Sequence, residues 1–192
     1  MTGEKLLLHA CCAPCAAQVC EILESEYNVT LFFCNPNIAP KAEYGKRLLE
    51  LENYAGPRGL RVIEFGNEPR RWTAYVKEFR REGERSERCR LCYRYRLERT
   101  FEYAGEHGFG KIATTLSISP HKDAAMINET GKELGSLHGV SFLEADFKKN
   151  DGFKRSVELS KKLGFYRQNY CGCAYSREER KKSSSWVKMI GK

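Results

Sequence analysis

The sequence predicts an α/β fold: one domain built on a mostly parallel sheet flanked by helices. Three observations carry this. Short apolar runs such as LLLHA, VTLFF and KIATT each end in a turn. Segments of helical length and periodicity separate them, the pattern of strand–helix–strand units. The chain has 192 residues, enough for a single sizeable core, and shows no internal repeat or low-complexity stretch.

The elements follow in order. Lys5–Ala10 reads as a buried strand, and Pro14 suits the first turn of a helix reaching about Ser25. Asn28–Cys34, rich in β-branched and aromatic residues, is a second strand ended by the turn Asn35-Pro36-Asn37. Pro40–Tyr54 is helical with Leu48, Leu49 and Leu51 facing partly inward, and Gly56-Pro57 breaks it. Leu60–Phe65 is a third strand. Arg71–Arg80 begins a helix that a polar loop around Gly83 interrupts. Leu97, Phe101 and Ala104 recur at helical spacing, which places Cys92 at or near a helix start. Lys111–Leu116 and Ser141–Ala145 are the fourth and fifth strands, with a helix opened by Ser119-Pro120 between them. Phe153–Leu163 is a helix closed by Gly164. Residues 1–175 form the catalytic domain, and 176–192 a basic tail, helical in part.

Parallel sheets hold ligands beyond the carboxyl ends of their strands. Cys11-Cys12 ends the first strand, Cys34-Asn35 the second, Ser117–His121 follows the fourth and Asp146 the fifth. These points converge on one rim. Of nine cysteines, six fall in three clusters: Cys11 with Cys12, Cys89 with Cys92 in CRLC, and Cys171 with Cys173 in CGC. Gathered thiolates bind soft metals, carry redox chemistry, or both.

CRLC alone is ambiguous between zinc, an iron–sulfur cluster and a dithiol. Adjacent Cys11 and Cys12 point in different directions, which suits the corners of a cubane better than one tetrahedral ion; the alternative is that they are small buried residues. Cys20 and Cys34 lie in apolar segments and read as core, while Cys15 stays open between a ligand, a packed residue and a pocket thiol. A disulfide across Gly172 is strained and therefore reactive; the pair could also be further metal ligands.

The N-terminal apolar run is three leucines, far short of a signal h-region, and no stretch nears the roughly 20 apolar residues of a membrane span. A cytoplasmic protein with no membrane partner is expected, where clustered cysteines are seldom disulfides. Net charge is +8, from 33 Lys and Arg against 25 Asp and Glu, which favours an anionic partner. Between Arg80 and Arg99 stand eight arginines and four glutamates, with Tyr93 and Tyr95 among them, a composition suited to phosphates and unpaired bases. Residues Tyr166, Arg167, Gln168, Asn169 and Tyr170 lead into CGC and are candidates to line the substrate pocket. Asp146, one of three aspartates, is a candidate proton donor or oxygen ligand to an additional metal; the plainer reading is a strand-end cap.

The motifs HACCAPC, FFCNPNI, RCRLCY, TTLSISPHKD, ADFKKNDG and ELSKKLGFYRQNYCGCAYS together resemble the QueH-type epoxyqueuosine reductases. The resemblance spans roughly residues 7–176. It implies the last step of queuosine synthesis, removal of the epoxide oxygen of epoxyqueuosine at the tRNA wobble position. It further implies a [4Fe–4S] cluster on Cys11, Cys12, Cys89 and Cys92 and a redox-active pair at Cys171 and Cys173. No G-x-G-x-x-G fingerprint is present, so an external electron donor is expected, and an additional iron ion is a candidate beside the cluster. The tRNA partner would present epoxyqueuosine in its anticodon loop. The implied sheet is of the kind shared with adenine-nucleotide hydrolases and tRNA thiolases. An ATP-dependent tRNA-thiolating enzyme of that fold would carry a glycine-rich phosphate loop after the first strand. HACCAPC stands there instead, without glycine or aspartate. A structural zinc protein that binds RNA and a metal-free thiol–disulfide oxidoreductase are the other readings.

Overall fold

The computed structural model describes residues 3–190. Among these described residues five strands form one sheet, all parallel, in the order β3-β2-β1-β4-β5. They are β1 (Glu4–His9), β2 (Tyr27–Phe33), β3 (Arg61–Glu64), β4 (Lys111–Thr114) and β5 (Ser141–Phe142). Seven helices within the same residues connect and cover them: α1 (Ala13–Leu23), α2 (Lys41–Ala55), α3 (Pro69–Tyr75), α4 (Glu87–Glu106), α5 (Ala124–His138), α6 (Gly152–Lys162) and α7 (Ala174–Ile190).

The central strand shows why the sheet is buried on both faces. Leu6, Leu7 and Leu8 are all fully buried, yet alternate strand residues point opposite ways. Leu6 and Leu8 pack with Val29, Leu31 and residues of α1 and α2. Leu7 packs with Phe32, Ile112 and the α4 and α5 residues Leu97, Phe101 and Leu134. Each such leucine contributes roughly 1.5–3 kcal/mol. Gly131 of α5 lies so close to Phe142 of β5 that a side chain there would collide with the ring.

From β1 the chain runs outward to β2 and β3 on one side and to β4 and β5 on the other. The strand order therefore reverses between β1 and β4, and a crevice opens at their carboxyl ends.

Several boundaries differ from expectation. Strand β4 stops at Thr114, because the Thr114 hydroxyl caps a 3-10 turn at Thr115–Ile118 by accepting the Leu116 N–H at 3.2 Å. Strand β5 pairs with β4 at Ser141 and Phe142 and goes no further, and the Ala145 N–H turns to the Asn128 side chain at 3.3 Å. The helix expected from Ser119-Pro120 begins at Ala124, with Asp123 accepting the Met126 N–H at 3.1 Å as its cap. The stretch 71–80 divides into α3 and a 3-10 turn at Lys77–Phe79. Helix α4 starts at Glu87, so Cys89 and Cys92 both lie within its first two turns. In α2, Leu51 is buried but Leu49 is 59% exposed. Residues 176–190 belong to α7, which is tied to the body through Arg88–Glu179 at 2.9 Å and Ser176 to Glu84 at 2.7 Å, and 191–192 lie outside the described residues. Among the described residues no helix is long and apolar enough to cross a membrane.

Candidate active site

A buried polar frame fixes the crevice. His9 ends β1; its Nδ1 lies 2.9 Å from the Thr114 hydroxyl and its Nε2 3.2 Å from the Cys34 carbonyl oxygen. Burial, helped by the charge of Arg96, pushes His9 down to about 3. The ring is therefore neutral: Nε2–H donates to Cys34 and Nδ1 accepts from Thr114. Asn35 donates to the Ala10 carbonyl at 2.9 Å, and the Arg96 guanidinium donates to Asn35 Oδ1. One network thus clamps the ends of β1, β2 and β4.

Cys11 and Cys12 follow directly, and Cys15 sits in the first turn of α1. The three sulfurs all lie within 4.8 Å of one another, with Cys11 Sγ to Cys12 Sγ at 3.7 Å. The Thr115 hydroxyl approaches Cys11 Sγ at 3.7 Å, and Gln168 Nε2 donates to Cys12 Sγ at 3.2 Å. Hydrogen bonds from Cys12 and Cys15 hold the Cys11 thiol well below its ordinary range. The same contacts push Cys15 up, and the contact with Cys11 pushes Cys12 up to about 11. The three thiols share one favoured thiolate, the state in which cysteine binds metal.

Helix α4 presents the second set. Cys89 packs against the Cys11 and Cys12 cluster together with Tyr93. Cys92, one turn on, packs with Trp72, Tyr95 and Cys173, and burial pushes its thiol up to about 11. Cys171 and Cys173 enter from the loop before α7, and both are free thiols. That loop is strapped at each residue. Arg47 donates to the Cys171 carbonyl at 3.1 Å, Ala39 N–H to the Gly172 carbonyl at 2.9 Å, and Cys171 N–H to the Ser176 hydroxyl at 3.0 Å. Gly172 has φ +129°, and a Cβ there would stand 3.0 Å from Arg47 Nη1.

A cleft with a cavity volume of about 170 Å³ runs along this constellation. Cys15, Cys89, Cys171, Lys122, Gln168 and Tyr170 are in its wall. The Gln168 Oε1 atom is buried without a partner.

The structure sorts the expected residues. Cys15, whose sulfur groups with those of Cys11 and Cys12, borders one cleft with Cys89 and Cys171, whereas Cys92 and Cys173 pack together with Trp72 and Tyr95. Cys20 and Cys34 are core, buried at 0% and 1% exposure, and burial pushes each thiol up to about 12. Arg167, Gln168, Asn169 and Tyr170 line the cleft as expected, whereas Tyr166 turns away to hydrogen-bond Glu43 at 3.2 Å. Asp146 is not among the cleft-lining residues; its carboxylate lies 3.0 Å from Lys148. The arginine-rich segment needs correction as a uniform RNA surface. Tyr93, Tyr95, Arg88 and Arg96 are buried, because α4 turns that face to the sheet and to α7. Arg80, Arg81 and Arg85 remain exposed, and Arg85 reaches the His121 carbonyl at 3.4 Å near the cleft. Sequence reasoning missed His9, Arg47 and Lys122. Only position offered a signal: His9 ends the first strand, and Lys122 directly follows the rim segment Ser117–His121.

A family model described as "Epoxyqueuosine reductase QueH" matches residues 6–179. The chain belongs to this family. Among curated relatives, the epoxyqueuosine reductase QueH of Thermotoga maritima is 39% identical over 186 residues, covering 95% of each chain. That of Haemophilus influenzae is 38% identical over 190 residues, covering 98% of this chain and 76% of the relative. That of Streptococcus pyogenes serotype M1 is 37% identical over 177 residues, covering 89% and 69%. Like the family, the chain is an oxidoreductase. A crystal structure described as a predicted subunit of tRNA methyltransferase from Methanocaldococcus jannaschii superposes with TM-score 0.54 at 13% identity, over 82% of this chain and 76% of that one. This likeness concerns the fold. The thiol-rich crevice suits a soft metal: Cys11, Cys12 and Cys15 form a set able to hold one, with Cys89 packed beside it.

Proposed function

We propose that the chain reduces epoxyqueuosine to queuosine at the wobble position of tRNA, using an iron–sulfur cluster in the crevice and the Cys171–Cys173 pair beside it. The observation that carries this reading is that Cys15, grouped with Cys11 and Cys12, shares a cleft wall with Cys89 and Cys171 at the strand-order reversal. Membership of the reductase family supports the substrate.

Cys11, Cys12, Cys89 and Cys92 would hold the cluster, and Cys15 is close enough to replace one of them. When bound, a cubane supplies electrons one at a time. Converting the epoxide to an alkene takes up two electrons and two protons, breaks both C–O bonds and releases water. Cys171 and Cys173 would supply capacity for the pair of electrons by passing from dithiol to disulfide, and an external donor would restore them. The strapped loop keeps Cys171 in the cleft wall, with Cys173 buried behind it against Cys92. Lys122 and Tyr170 line the space where the departing oxygen would lie, nearer than Asp146. Arg80, Arg81 and Arg85 would hold the RNA backbone outside the mouth. A tRNA substrate and reduced thiols suit the cytoplasm.

The 3.7 Å separation of Cys11 and Cys12 favours a second reading, a single tetrahedral ion. Thiolates bound to one zinc at about 2.3 Å lie about 3.8 Å apart. For separate irons the two sulfurs must move further apart, by a rotamer change of at least one side chain. Activity separates the readings. Anaerobically purified protein, given a chemical reductant and tRNA containing epoxyqueuosine, should yield a nucleoside lighter by one oxygen. Unchanged epoxyqueuosine with iron-loaded protein would overturn the proposed reaction.

A further inference from the structure

Buried charge around the thiols does not balance. Arg47, 1% exposed, is matched by Glu43 at 2.7 Å. Arg88 is matched by Glu179. Arg96 and Lys122 are 1% and 8% exposed, and among the described residues neither lies in an ion pair with a carboxylate. Arg96 is held by neutral oxygens of Cys34 and Asn35. The two cations also repel each other. An unpaired buried charge costs several kcal/mol, so a fold that buries two of them calls for an anion beside each.

The groups facing them are sulfurs. Lys122 shares the cleft wall with Cys15, Cys89 and Cys171. Arg96 follows Cys92 by four residues on α4, on the same helix face. Burial alone would drive Lys122 toward neutrality; the thiols of Cys171, Cys11 and Cys15 outweigh it and raise the ammonium above its ordinary value. The charge count is informative. A thiolate-ligated cubane in its oxidised form is a dianion, and it gains another negative charge on reduction. Among the buried cations beside the thiols these two are unmatched; Arg167 and Arg180, also in the cleft wall, are not buried.

We propose that Arg96 and Lys122 are the counter-ions of the cluster, holding its oxidised form near neutrality and easing the entry of the next electron. This rests on the cluster reading above. Neither residue touches substrate in this role; both are positioning residues that act through the charge they place beside the thiolates. Net charge is among the factors that set cluster potential.

The test uses the full chain, purified anaerobically, as wild type, Lys122→Met, Lys122→Arg and Arg96→Lys. Iron and sulfide content is measured first, then the midpoint potential by reductive titration followed by electron paramagnetic resonance. Lys122→Met should take up iron and shift the midpoint to lower potential, while Lys122→Arg and Arg96→Lys stay near wild type. Failure of Lys122→Met to load, with Lys122→Arg loading normally, would also support a requirement for charge. An unchanged potential in a fully loaded Lys122→Met would overturn the counter-ion role and leave the cluster reading intact. So would failure of both Lys122 variants to load. A wild type free of iron would overturn the cluster reading, and this role with it.

Discussion

Substituting Gly172 with alanine should cost stability and turnover together. The backbone there has φ +129°, a region that L residues rarely enter, and holding alanine in it costs roughly 1–3 kcal/mol. The new methyl would stand 3.0 Å from Arg47 Nη1 and 3.1 Å from Ile38 Cγ1. Arg47 is pinned by Glu43 at 2.7 Å, so the guanidinium yields only by loosening its 3.1 Å bond to the Cys171 carbonyl. Hydrogen bonds to charged groups contribute about 1.5–3 kcal/mol, and part of that would go. Together the change should lower unfolding free energy by about 2–4 kcal/mol. Urea unfolding of the loaded protein under anaerobic conditions measures it. Gly45→Ala is the control: Gly45 lies inside α2 with nothing within 4 Å of the added methyl, so that variant should gain about 0.5–1 kcal/mol. A Gly172→Ala protein as stable as wild type, with full turnover, would refute the claim that this glycine sets the geometry of the thiol pair.

Other expectations concern the thiols and the RNA surface. Cys89→Ala should lose iron and sulfide, whereas Cys20→Ala, in the core, should keep both at some cost in stability; colorimetric iron and sulfide assays decide. Cys171→Ser and Cys173→Ser should retain the cluster and lose turnover, and loss of iron in either would make them ligands instead. Replacing Arg80, Arg81 and Arg85 with glutamine should weaken tRNA binding and flatten its salt dependence, by about 0.7–0.9 in log–log slope for each phosphate no longer neutralised. Arg96→Gln should instead impair folding or cluster loading, because that side chain is inside.

The sheet was legible because its strands are short apolar runs bounded by turns, and LLLHA and VTLFF do not suit any exposed element. The rim was legible for the same reason: in a parallel sheet the strand ends predict where ligands gather. What periodicity could not reveal was rotation. On α4 the arginines and tyrosines look like an RNA-facing run, but Leu97, Phe101 and Ala104 turn one face to the core and carry Tyr93 and Arg96 inward with it. Nor does local sequence distinguish a solvated lysine from Lys122, whose burial depends on a loop almost fifty residues further on. The shortened β4 follows from a threonine side chain capping a turn, a choice that strand propensity does not encode.

The central claim is that the crevice thiols hold an iron–sulfur cluster rather than a lone ion. The most direct measurement is iron, zinc and acid-labile sulfide per chain in protein purified without oxygen, alongside its electron paramagnetic resonance spectrum after reduction. The account predicts iron and sulfide in equal amounts, a signal from a reduced cubane, and loss of both in Cys89→Ala. Stoichiometric zinc, or iron without sulfide, would contradict it.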